Sequence, residues 1–375
     1  MKRIFFIVLD SFGIGGAKDA AAFSDEGANT LRSVFNTEGF SVPTLEKLGL
    51  FHIDGVSESL NYTSKVSPIA SYGRMSEASP GKDTTIGHFE LMGVVSKKPL
   101  PVYPNGFPPE IIEKLEKAFN RRLICNKPYS GTEVIKDYGT EHKKTGALII
   151  YTSADSVLQL AAHEDVVSVE TLYDYCRKAR EIMTGDHAVG RVIARPFTGE
   201  YPNFTRTPRR HDFSIMPPEK TILDKLKEKG FDTIGVGKTY DIFAGCGITE
   251  NFGVNENNAD GMKKTSNLLS KDFSGIALIN LVDFDMVYGH RRDVKGYAEA
   301  IKEFDLWLSG FLPKLQDEDA LIITADHGCD PTFKGTDHTR ENVPILVYNK
   351  NLPSKNLGVS DSFAFASEIV EKLLL

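Results

Sequence analysis

The strongest chemical signal in the sequence is a set of aspartates and histidines that can ligate a divalent metal. They are Asp10, Asp285, His290, Asp326, His327 and His338. Carboxylate oxygens and neutral imidazole nitrogens suit Mn²⁺ or Zn²⁺, and six such groups would divide evenly into two sites of three ligands. Each metal would keep open positions for substrate. A single Asp–His pair is more often a surface or capping arrangement, but six ligands at consecutive strand ends favour a metal centre.

A second segment of chemical interest runs from Pro80 to Glu90 and contains two adjacent threonines, Thr84 and Thr85. Small, glycine-rich surroundings let the backbone approach a phosphate closely, and a hydroxyl held against a metal can ionise and act as a nucleophile. Threonine pairs in glycine-containing turns usually serve as helix N-caps. The segment alone therefore leaves both interpretations open.

Short apolar runs separated by helical patterns must position these residues. Runs rich in Ile, Val, Leu and Phe predict buried strands at 3–9, 147–151, 233–236, 276–282, 320–324 and 344–347. Segments with helical spacing lie at 220–229, 259–269, 296–312 and 361–374. This alternation predicts an α/β fold with a doubly wound parallel sheet.

The acidic and histidine residues stand where apolar strands end. Asp10 follows the first run, Asp283 and Asp285 follow the run at 276–282, and Asp326 follows the run at 320–324. Because open α/β sheets bind ligands at the carboxyl ends of their strands, we expect these segments to converge on one site. Asp283 and Asp285 are two residues apart and would share a face of a strand, so spacing alone does not choose between them. Asp283 could instead be a supporting or capping carboxylate.

The stretch from about 96 to 218 differs from its surroundings. Proline clusters bound it at Pro99–Pro109 and at Met216–Pro218, and it carries its own helix and a strand–helix–strand set. This pattern predicts an inserted α+β cap domain at 98–218, between core segments 1–97 and 219–375.

The overall composition of the chain argues against some classes of function. The formal net charge of −7 over 375 residues argues against a nucleic-acid binder that relies on overall basicity. The first apolar run is too short for a signal-peptide core or a membrane span, so no membrane association is expected. Four scattered cysteines without a CxxC pair favour a reducing cytoplasm.

Several motifs together resemble a known superfamily. The motifs are Val8–Gly15, Gly81–Thr84, Asp285 with His290, Asp326–Gly328 and His338. In type and order they resemble the metalloenzyme core shared by alkaline phosphatases, sulfatases and cofactor-independent phosphoglycerate mutases. Four further segments resemble the phosphopentomutase family over essentially the whole chain: Asn280–Asp285, Tyr151–Ser156, Gly190–Pro196 and Asn203–Pro208.

The resemblance implies an alkaline-phosphatase-like doubly wound core with a mobile inserted cap. It implies two metal ions, usually Mn²⁺ with other divalent metals as alternatives, and Thr84 rather than Thr85 as the nucleophile. One ion would be held by Asp10, Asp326 and His327, and the other by Asp285, His290 and His338. Substrate contacts would come from Ser153, Asp155, Arg191, Ile193, Arg206 and Lys238.

The implied activity is that of an isomerase. It would interconvert ribose 1-phosphate and ribose 5-phosphate, and the deoxyribose equivalents, through a phosphothreonine and a bisphosphate intermediate, with a sugar bisphosphate as activator. Arginine suits bidentate phosphate contact, although the run 206–211 could be only a solvated charge run.

Two other function classes remain open at this stage. One is a metal-dependent phosphatase or phosphodiesterase of the same superfamily, which would let water take the phosphoryl group. The other is a metal-binding or phosphosugar-binding protein without catalysis, which the intact ligand set and Thr84 argue against.

Overall fold

The chain forms two structural units. It enters the second unit between Pro99 and Leu100 and returns to the first between Met216 and Pro217. The computed structural model describes residues 1–153 and 155–375. Met1–Pro99 and Pro217–Leu375 form the core unit, and Leu100–Met216 forms the inserted unit. The two parts of the core unit are joined where Ile222 N donates to Met92 O at 2.9 Å. Met92 and Ile222 are close in sequence to the two positions at which the chain leaves and re-enters the core unit, as an insertion into a continuous core requires.

The strands are numbered along the chain as follows: β1 (Arg3–Leu9), β2 (Ser71–Met75), β3 (Leu123–Pro128), β4 (Leu148–Thr152), β5 (Val157–His163), β6 (Arg191–Thr198), β7 (Thr205–Arg206), β8 (His211–Ser214), β9 (Asp232–Val236), β10 (Glu250–Asn251), β11 (Gly275–Leu281), β12 (Asp319–Thr324), β13 (Val343–Tyr348) and β14 (Asn356–Ser360).

The α-helices are α1 (Thr30–Phe35), α2 (Pro43–Lys47), α3 (Val56–Leu60), α4 (Thr84–Leu91), α5 (Pro109–Phe119), α6 (Glu133–Thr145), α7 (Val169–Ile182), α8 (Ile222–Glu228), α9 (Thr239–Ile242), α10 (Asn258–Asn267), α11 (Val294–Phe311) and α12 (Phe365–Leu374). A π-helical turn spans Phe284–Gly289. Across residues 1–153 and 155–375, no helix combines the length and the apolar character that a membrane crossing needs.

The core sheet has eight strands in the order β10-β9-β11-β1-β12-β13-β2-β14. Strands β9, β11, β1 and β12 run parallel, but β13 is antiparallel to both β12 and β2. The doubly wound sheet is therefore parallel at its centre and mixed at this side. A parallel return needs a crossover, usually a helix, whereas the connection from Thr324 to Val343 contains no α-helix.

Burial explains which strands the sequence predicts well. Every residue of β1, β11 and β12 is buried, so these strands are nearly continuous apolar runs, as expected when a sheet is covered on both faces. Strands β2 and β14 are partly exposed and contain Ser, Gly, Arg and Asn, so they carry no comparable apolar signal. The sequence pattern missed both.

The inserted unit has its own sheet in the order β3-β4-β5-β6-β7, with β8 pairing β6. Leu115 of α5 and Leu172 of α7 pack in one apolar cluster with Leu160 of β5. Val134 of α6 packs in a second cluster with Ile149 of β4. Adjacent strand residues point to opposite faces, so the two clusters lie on opposite sides of this sheet.

We predict that Arg3→Met destabilises the core unit by about 3–5 kcal/mol, because it leaves the carboxylate of Asp319 buried without its cation. Arg3 Nη2 lies 2.7 Å from Asp319 Oδ2, and both side chains are almost fully buried. The measurement is the free energy of unfolding in urea. Lys2→Met, which breaks the exposed pair with Asp272, is the control and should change it little. Equal effects of the two substitutions would contradict the prediction.

Candidate active site

Three neighbouring strands deliver the acidic residues to one edge of the core sheet. Leu9 of β1 is level with Leu281 of β11, and Val8 with Thr324 of β12. Asp10 follows β1 directly, Asp326 lies two residues beyond β12, and Asp285 lies in the π-helical turn after β11. Parallel strands end at a common edge, so the chain segments that carry these carboxylates meet there.

The turn after β11 separates the roles of its two aspartates. Strand β11 ends at Leu281, so the expectation that Asp283 and Asp285 share a strand face is wrong. Asp283 Oδ2 accepts from Asn258 N at 2.7 Å, at the start of α10, which is a capping role. The side chain of Asp285 instead lies beside His290 and His338.

The first group of side chains consists of Asp10, Asp326 and His327. His327 Nε2 lies 3.4 Å from Asp10 Oδ1 and 3.4 Å from Asp326 Oδ2. Asn280 Nδ2 donates to Asp10 Oδ2 at 2.9 Å, and Ser11 N donates to Asp326 Oδ1 at 3.1 Å. The other two carboxylate oxygens are buried: Asp10 Oδ1 has no hydrogen-bond partner among the described residues, and Asp326 Oδ2 has only a contact with His88, whose Nδ1 lies 3.1 Å away and also bonds Thr84 O. One oxygen of each carboxylate is thus fixed by the protein and the other is available to a ligand.

The second group consists of Asp285, His290 and His338. His290 Nε2 lies 3.2 Å from Asp285 Oδ2, and His338 Nε2 lies 3.5 Å from Asp285 Oδ1. The Nε2 atoms of the two histidines are 3.1 Å apart. Asp285 Oδ1 is also buried without a hydrogen-bond partner among the residues described.

Backbone carbonyls fix the tautomers of the three imidazoles. The Nδ1 atoms of His290, His338 and His327 lie 2.6, 2.8 and 3.0 Å from the carbonyl oxygens of Thr336, Lys82 and Gly328. A carbonyl only accepts, so each Nδ1 carries the hydrogen and each Nε2 presents a lone pair. Lone pairs aimed at one another and at carboxylates repel, and a shared cation relieves that repulsion.

The pKa shifts within the cluster differ in direction. Burial, followed by the charges of Asp326 and Asp285, raises the pKa of Asp10 well above its ordinary value. Burial, aided by the neighbouring His338, lowers the pKa of His327 to about 4. By contrast, against the effect of burial, His338 and His290 hold the pKa of Asp285 well below its ordinary value, and Asp285 raises the pKa of His290. Divalent metals bind deprotonated carboxylates and neutral imidazoles, and the cluster supplies three groups of each kind. The residues present therefore fit a divalent metal centre.

The candidate ligand atoms also lie close together in combinations other than the two predicted triads. Those of Asp10, Asp326 and His327 lie within 4.8 Å of one another, but so do those of Asp285, His327 and His338. Cys329 forms a further group with Asp285 and His290. The sequence pattern predicts no role at the centre for this thiol. Burial raises its pKa far above the ordinary value, so it is a neutral thiol beside the centre.

Thr84 brings a hydroxyl to the same centre. Its Oγ1 lies 3.1 Å from His327 Nε2. The capping interpretation of the threonine pair fails, because Asp83 is the N-cap of α4 and accepts from Thr85 N and Ile86 N at 3.1 Å each. Thr84 is thereby the first residue of the helix, with its side chain free of the capping role.

Helix α4 reaches the centre through a close approach at Gly87. A Cβ at this position would overlap the backbone carbonyl of Asp326, so only glycine permits the contact. One residue later, the buried His88 has its Nδ1 2.9 Å from Thr84 O and 3.1 Å from Asp326 Oδ2. The sequence pattern predicts no role for His88, although it lies within the segment from Pro80 to Glu90; its position one helical turn after Thr84 was the available signal.

A buried arginine, also missed from sequence, holds the loop before Thr84. Arg340 Nη1 donates to Glu77 Oε2 at 2.6 Å, to Ser79 O at 2.9 Å and to Gly81 O. Its Nη2 donates to Glu77 O at 2.6 Å and to Asp19 Oδ2 at 3.0 Å. Arg340 lies two residues after His338, so one side chain couples a candidate ligand segment to the loop that precedes Thr84.

Lys82 makes a second connection between the same segments. Its Nζ lies 3.0 Å from Asp25 Oδ2 and 3.2 Å from Asp337 Oδ2. Its carbonyl accepts from His338 Nδ1. The loop that precedes Thr84 thus orients His338, a candidate metal ligand, directly.

The predicted substrate residues are placed in both units. In the inserted unit, Arg191 Nη2 lies 3.6 Å from Asp155 Oδ2, and Asp155 N donates to Ser153 Oγ at 3.3 Å. Ile193 is buried on β6, and Arg206 is exposed on β7. Lys238 belongs to the core unit, where it precedes α9 just beyond β9.

Comparison with known proteins identifies the family to which this chain belongs. A model of the metalloenzyme superfamily matches residues 2–375. A phosphopentomutase from Lachnoclostridium phytofermentans is 58% identical over 373 residues, covering 99% of this chain and 95% of its own. A phosphopentomutase from Carboxydothermus hydrogenoformans is 53% identical, covering 100% and 96%. The chain belongs to the phosphopentomutase family.

This membership agrees with the fold and the metal centre. A solved structure of a protein from Pyrococcus horikoshii shares the fold, with a TM-score of 0.50 at 16% identity, covering 100% of this chain and 97% of its own. The predicted class, an alkaline-phosphatase-like α/β core, is confirmed. Members of the phosphopentomutase family are isomerases, that is, intramolecular phosphotransferases. The superfamily and the ligand groups support the use of divalent metal.

We predict that Gly87→Ala lowers the rate of pentose phosphate interconversion at least about 100-fold, because a displacement of Thr84 on the order of 1 Å can cost that much. The added methyl group must push α4 away from the Asp326 carbonyl. The measurement is kcat, with circular dichroism to show that the protein folds.

The matched control is Gly310→Ala. Gly310 lies in α11, and an added Cβ there meets nothing within 4 Å of the described atoms. This substitution should stabilise the protein by roughly 0.5–1 kcal/mol and leave kcat unchanged. Full activity in Gly87→Ala would show that the close approach does not position the nucleophile.

Proposed function

We propose that this protein interconverts ribose 1-phosphate and ribose 5-phosphate, and the deoxyribose equivalents, through a phosphorylated Thr84. The observation that carries the proposal is the 3.1 Å distance from Thr84 Oγ1 to His327 Nε2, at a cluster of unsatisfied carboxylate oxygens. Family membership supports the substrate class.

Each half of the reaction moves one phosphoryl group. In the first, the bond from phosphorus to Thr84 Oγ breaks while a bond to a hydroxyl of the pentose monophosphate forms, and that hydroxyl loses its proton. The product is ribose 1,5-bisphosphate. In the second, Thr84 Oγ attacks the other phosphorus, and the sugar oxygen that leaves recovers a proton. Water must be excluded between the two steps, or the phosphoryl group is lost.

The residues around Thr84 have separate tasks in this scheme. As the first residue of α4, Thr84 carries its phosphoryl group at the positive end of the helix dipole. Arg340 and Lys82 hold the preceding loop, so the attacking oxygen is positioned in advance.

We propose that the centre takes two Mn²⁺ ions, other divalent metals being alternatives. Asp10, Asp326 and His327 would hold one, and Asp285, His290 and His338 the other. When bound, the metals would neutralise the transferring oxygens and lower the pKa of the threonine hydroxyl. A sugar bisphosphate would serve as activator, because it supplies the first phosphoryl group to an unphosphorylated Thr84.

We propose that the inserted unit acts as the cap and supplies most sugar and phosphate contacts. Ser153 and Asp155 would bond sugar hydroxyls, Arg191 and Arg206 would bond phosphate, and Ile193 would pack on the sugar. Lys238 would add a phosphate contact from the core unit. Phosphopentose substrates and free cysteines favour the cytoplasm as the site of action.

We predict that Thr84→Ala folds and binds both metals but interconverts pentose phosphates at least 1,000-fold more slowly (an order-of-magnitude figure for losing a nucleophile). Thr85→Ala is the matched control and should retain much of the activity, because Thr85 is buried within α4. After incubation with a sugar bisphosphate, peptide mass spectrometry should find phosphate on Thr84.

A parallel assay of released inorganic phosphate separates a mutase from a phosphatase. Isomerisation should greatly exceed release. Phosphate on Thr85 or Ser11, a fully active Thr84→Ala, or release as fast as isomerisation would overturn the proposal.

We predict that chelation abolishes activity and that Mn²⁺ restores it best, because carboxylate oxygens dominate one half of the centre. Plasma emission spectrometry should count two metals per chain in the active protein and fewer in Asp285→Asn. Full activity after thorough dialysis against chelator would contradict this.

A further inference from the structure

One face of the inserted sheet carries polar side chains beside the cluster covered by α6. Ile149, Ala161 and Phe197 belong to that cluster. Two residues along the same strands, and therefore on the same face, lie Tyr151, Gln159 and Arg195. Arg195 Nε donates to Gln159 Oε1 at 3.1 Å.

The arginines around this face divide into two kinds. Arg191 and Arg210 pair with Asp212, at 3.6 and 2.6 Å. Arg195 and Arg206, by contrast, have no carboxylate within 4 Å in the described parts of the chain. Asp212 lies close enough to act on the charge of Arg195, but its carboxylate is engaged by Arg191 and Arg210. Arg195 and Arg206 thus form no direct ion pair among the described residues of this sheet face. Such a pair suits a dianion.

The hydroxyl of Tyr151 lies among these cations. The side chain is 1% exposed, and its Oη has no hydrogen-bond partner in residues 1–153 or 155–375. Burial raises its pKa, while Arg195, Arg206 and Arg210 act in the opposite direction, which places their charges nearby. A buried hydroxyl without an acceptor is costly, so it points to an acceptor that is supplied from outside the chain.

Gly131 marks the position of that acceptor. A Cβ built on it would lie 3.0 Å from Tyr151 Oη and 3.2 Å from an Nη1 atom of Arg206. A point beside the Gly131 backbone is therefore within reach of both donors. Arg206 is exposed, so its side chain can move to admit an anion.

We infer that Tyr151 Oη, Arg195 and Arg206, beside the Gly131 backbone, form a subsite for a phosphate dianion. The dianion is the phosphoryl group of the pentose phosphate that is not being transferred. That identification rests on the proposed function, whereas phosphate binding itself does not. Tyr151 and Arg195 are specificity-determining residues here: they select a phosphorylated sugar over the free sugar. The two guanidinium groups only donate hydrogen bonds and the Tyr151 hydroxyl can donate one, which suits phosphate oxygens as acceptors.

Calorimetry on the metal-loaded, full-length protein tests the inference with ribose 5-phosphate and with ribose. Tyr151→Phe should weaken ribose 5-phosphate binding about tenfold or more, the usual effect of losing a hydrogen bond to a charged group. Its Tm should be unchanged or higher, because the hydroxyl that is removed has no partner. Arg195→Gln should weaken ribose 5-phosphate similarly. Neither change should alter ribose binding or metal content.

Arg177→Gln is the matched control, because Arg177 lies on α7 of the same unit and pairs with Asp174. It should bind ribose 5-phosphate as the unaltered protein does. Unchanged affinity in Tyr151→Phe, or a loss accompanied by a lower Tm, would overturn the subsite. If affinity falls as expected but the protein does not interconvert pentose phosphates, the subsite stands and the proposed function fails.

Discussion

Repulsion among buried carboxylates and imidazole lone pairs is the constraint around which the core unit is organised. Asp10 and Asp285 each keep one buried oxygen without a donor among the described residues, and the corresponding oxygen of Asp326 has only a contact with His88, which also bonds Thr84 O. Burying such charge is costly unless a cation balances it. A metal that binds there must therefore contribute to folding stability as well as to catalysis. The strands that carry the carboxylates are the most deeply buried of the sheet, so the rigid part of the fold holds the groups that repel each other.

The same constraint explains why Thr84, the proposed nucleophile, is tied to the candidate ligands. Thr84 lies on a short helix whose approach depends on Gly87 and whose preceding loop is held by Arg340. The carbonyl of Lys82 sets the tautomer of His338. A shift of the loop would therefore disturb the nucleophile and a candidate metal ligand together. Such coupling suits phosphoryl transfer, in which positioning and charge stabilisation supply most of the catalysis.

Much of this centre was predictable because its physical causes are local. Strands buried on both faces are continuous apolar runs, and polar residues at their ends mark the ligand edge. What sequence patterns missed depends on contacts between distant residues. Arg340 looks like a surface residue in its local sequence, and its burial follows from Glu77, more than 250 positions away. The antiparallel direction of β13 follows from the missing crossover helix, and the choice of Asp285 over Asp283 follows from where β11 stops.

The two units also divide the electrostatics between them. The core unit concentrates carboxylates at the candidate metal centre, whereas the inserted sheet presents Arg195 and Arg206, which form no ion pair within 4 Å in the described residues. A net charge of −7 therefore says little about the charge of the substrate. A phosphate dianion would be repelled by the bare carboxylates of the core unit but not by Arg195 and Arg206. Because these cations belong to a separate sheet, recognition of a phosphorylated sugar can be altered there without changing the groups that hold metal. Removal of the buried Tyr151 hydroxyl should therefore change the affinity for a phosphorylated sugar while leaving the metal content unchanged.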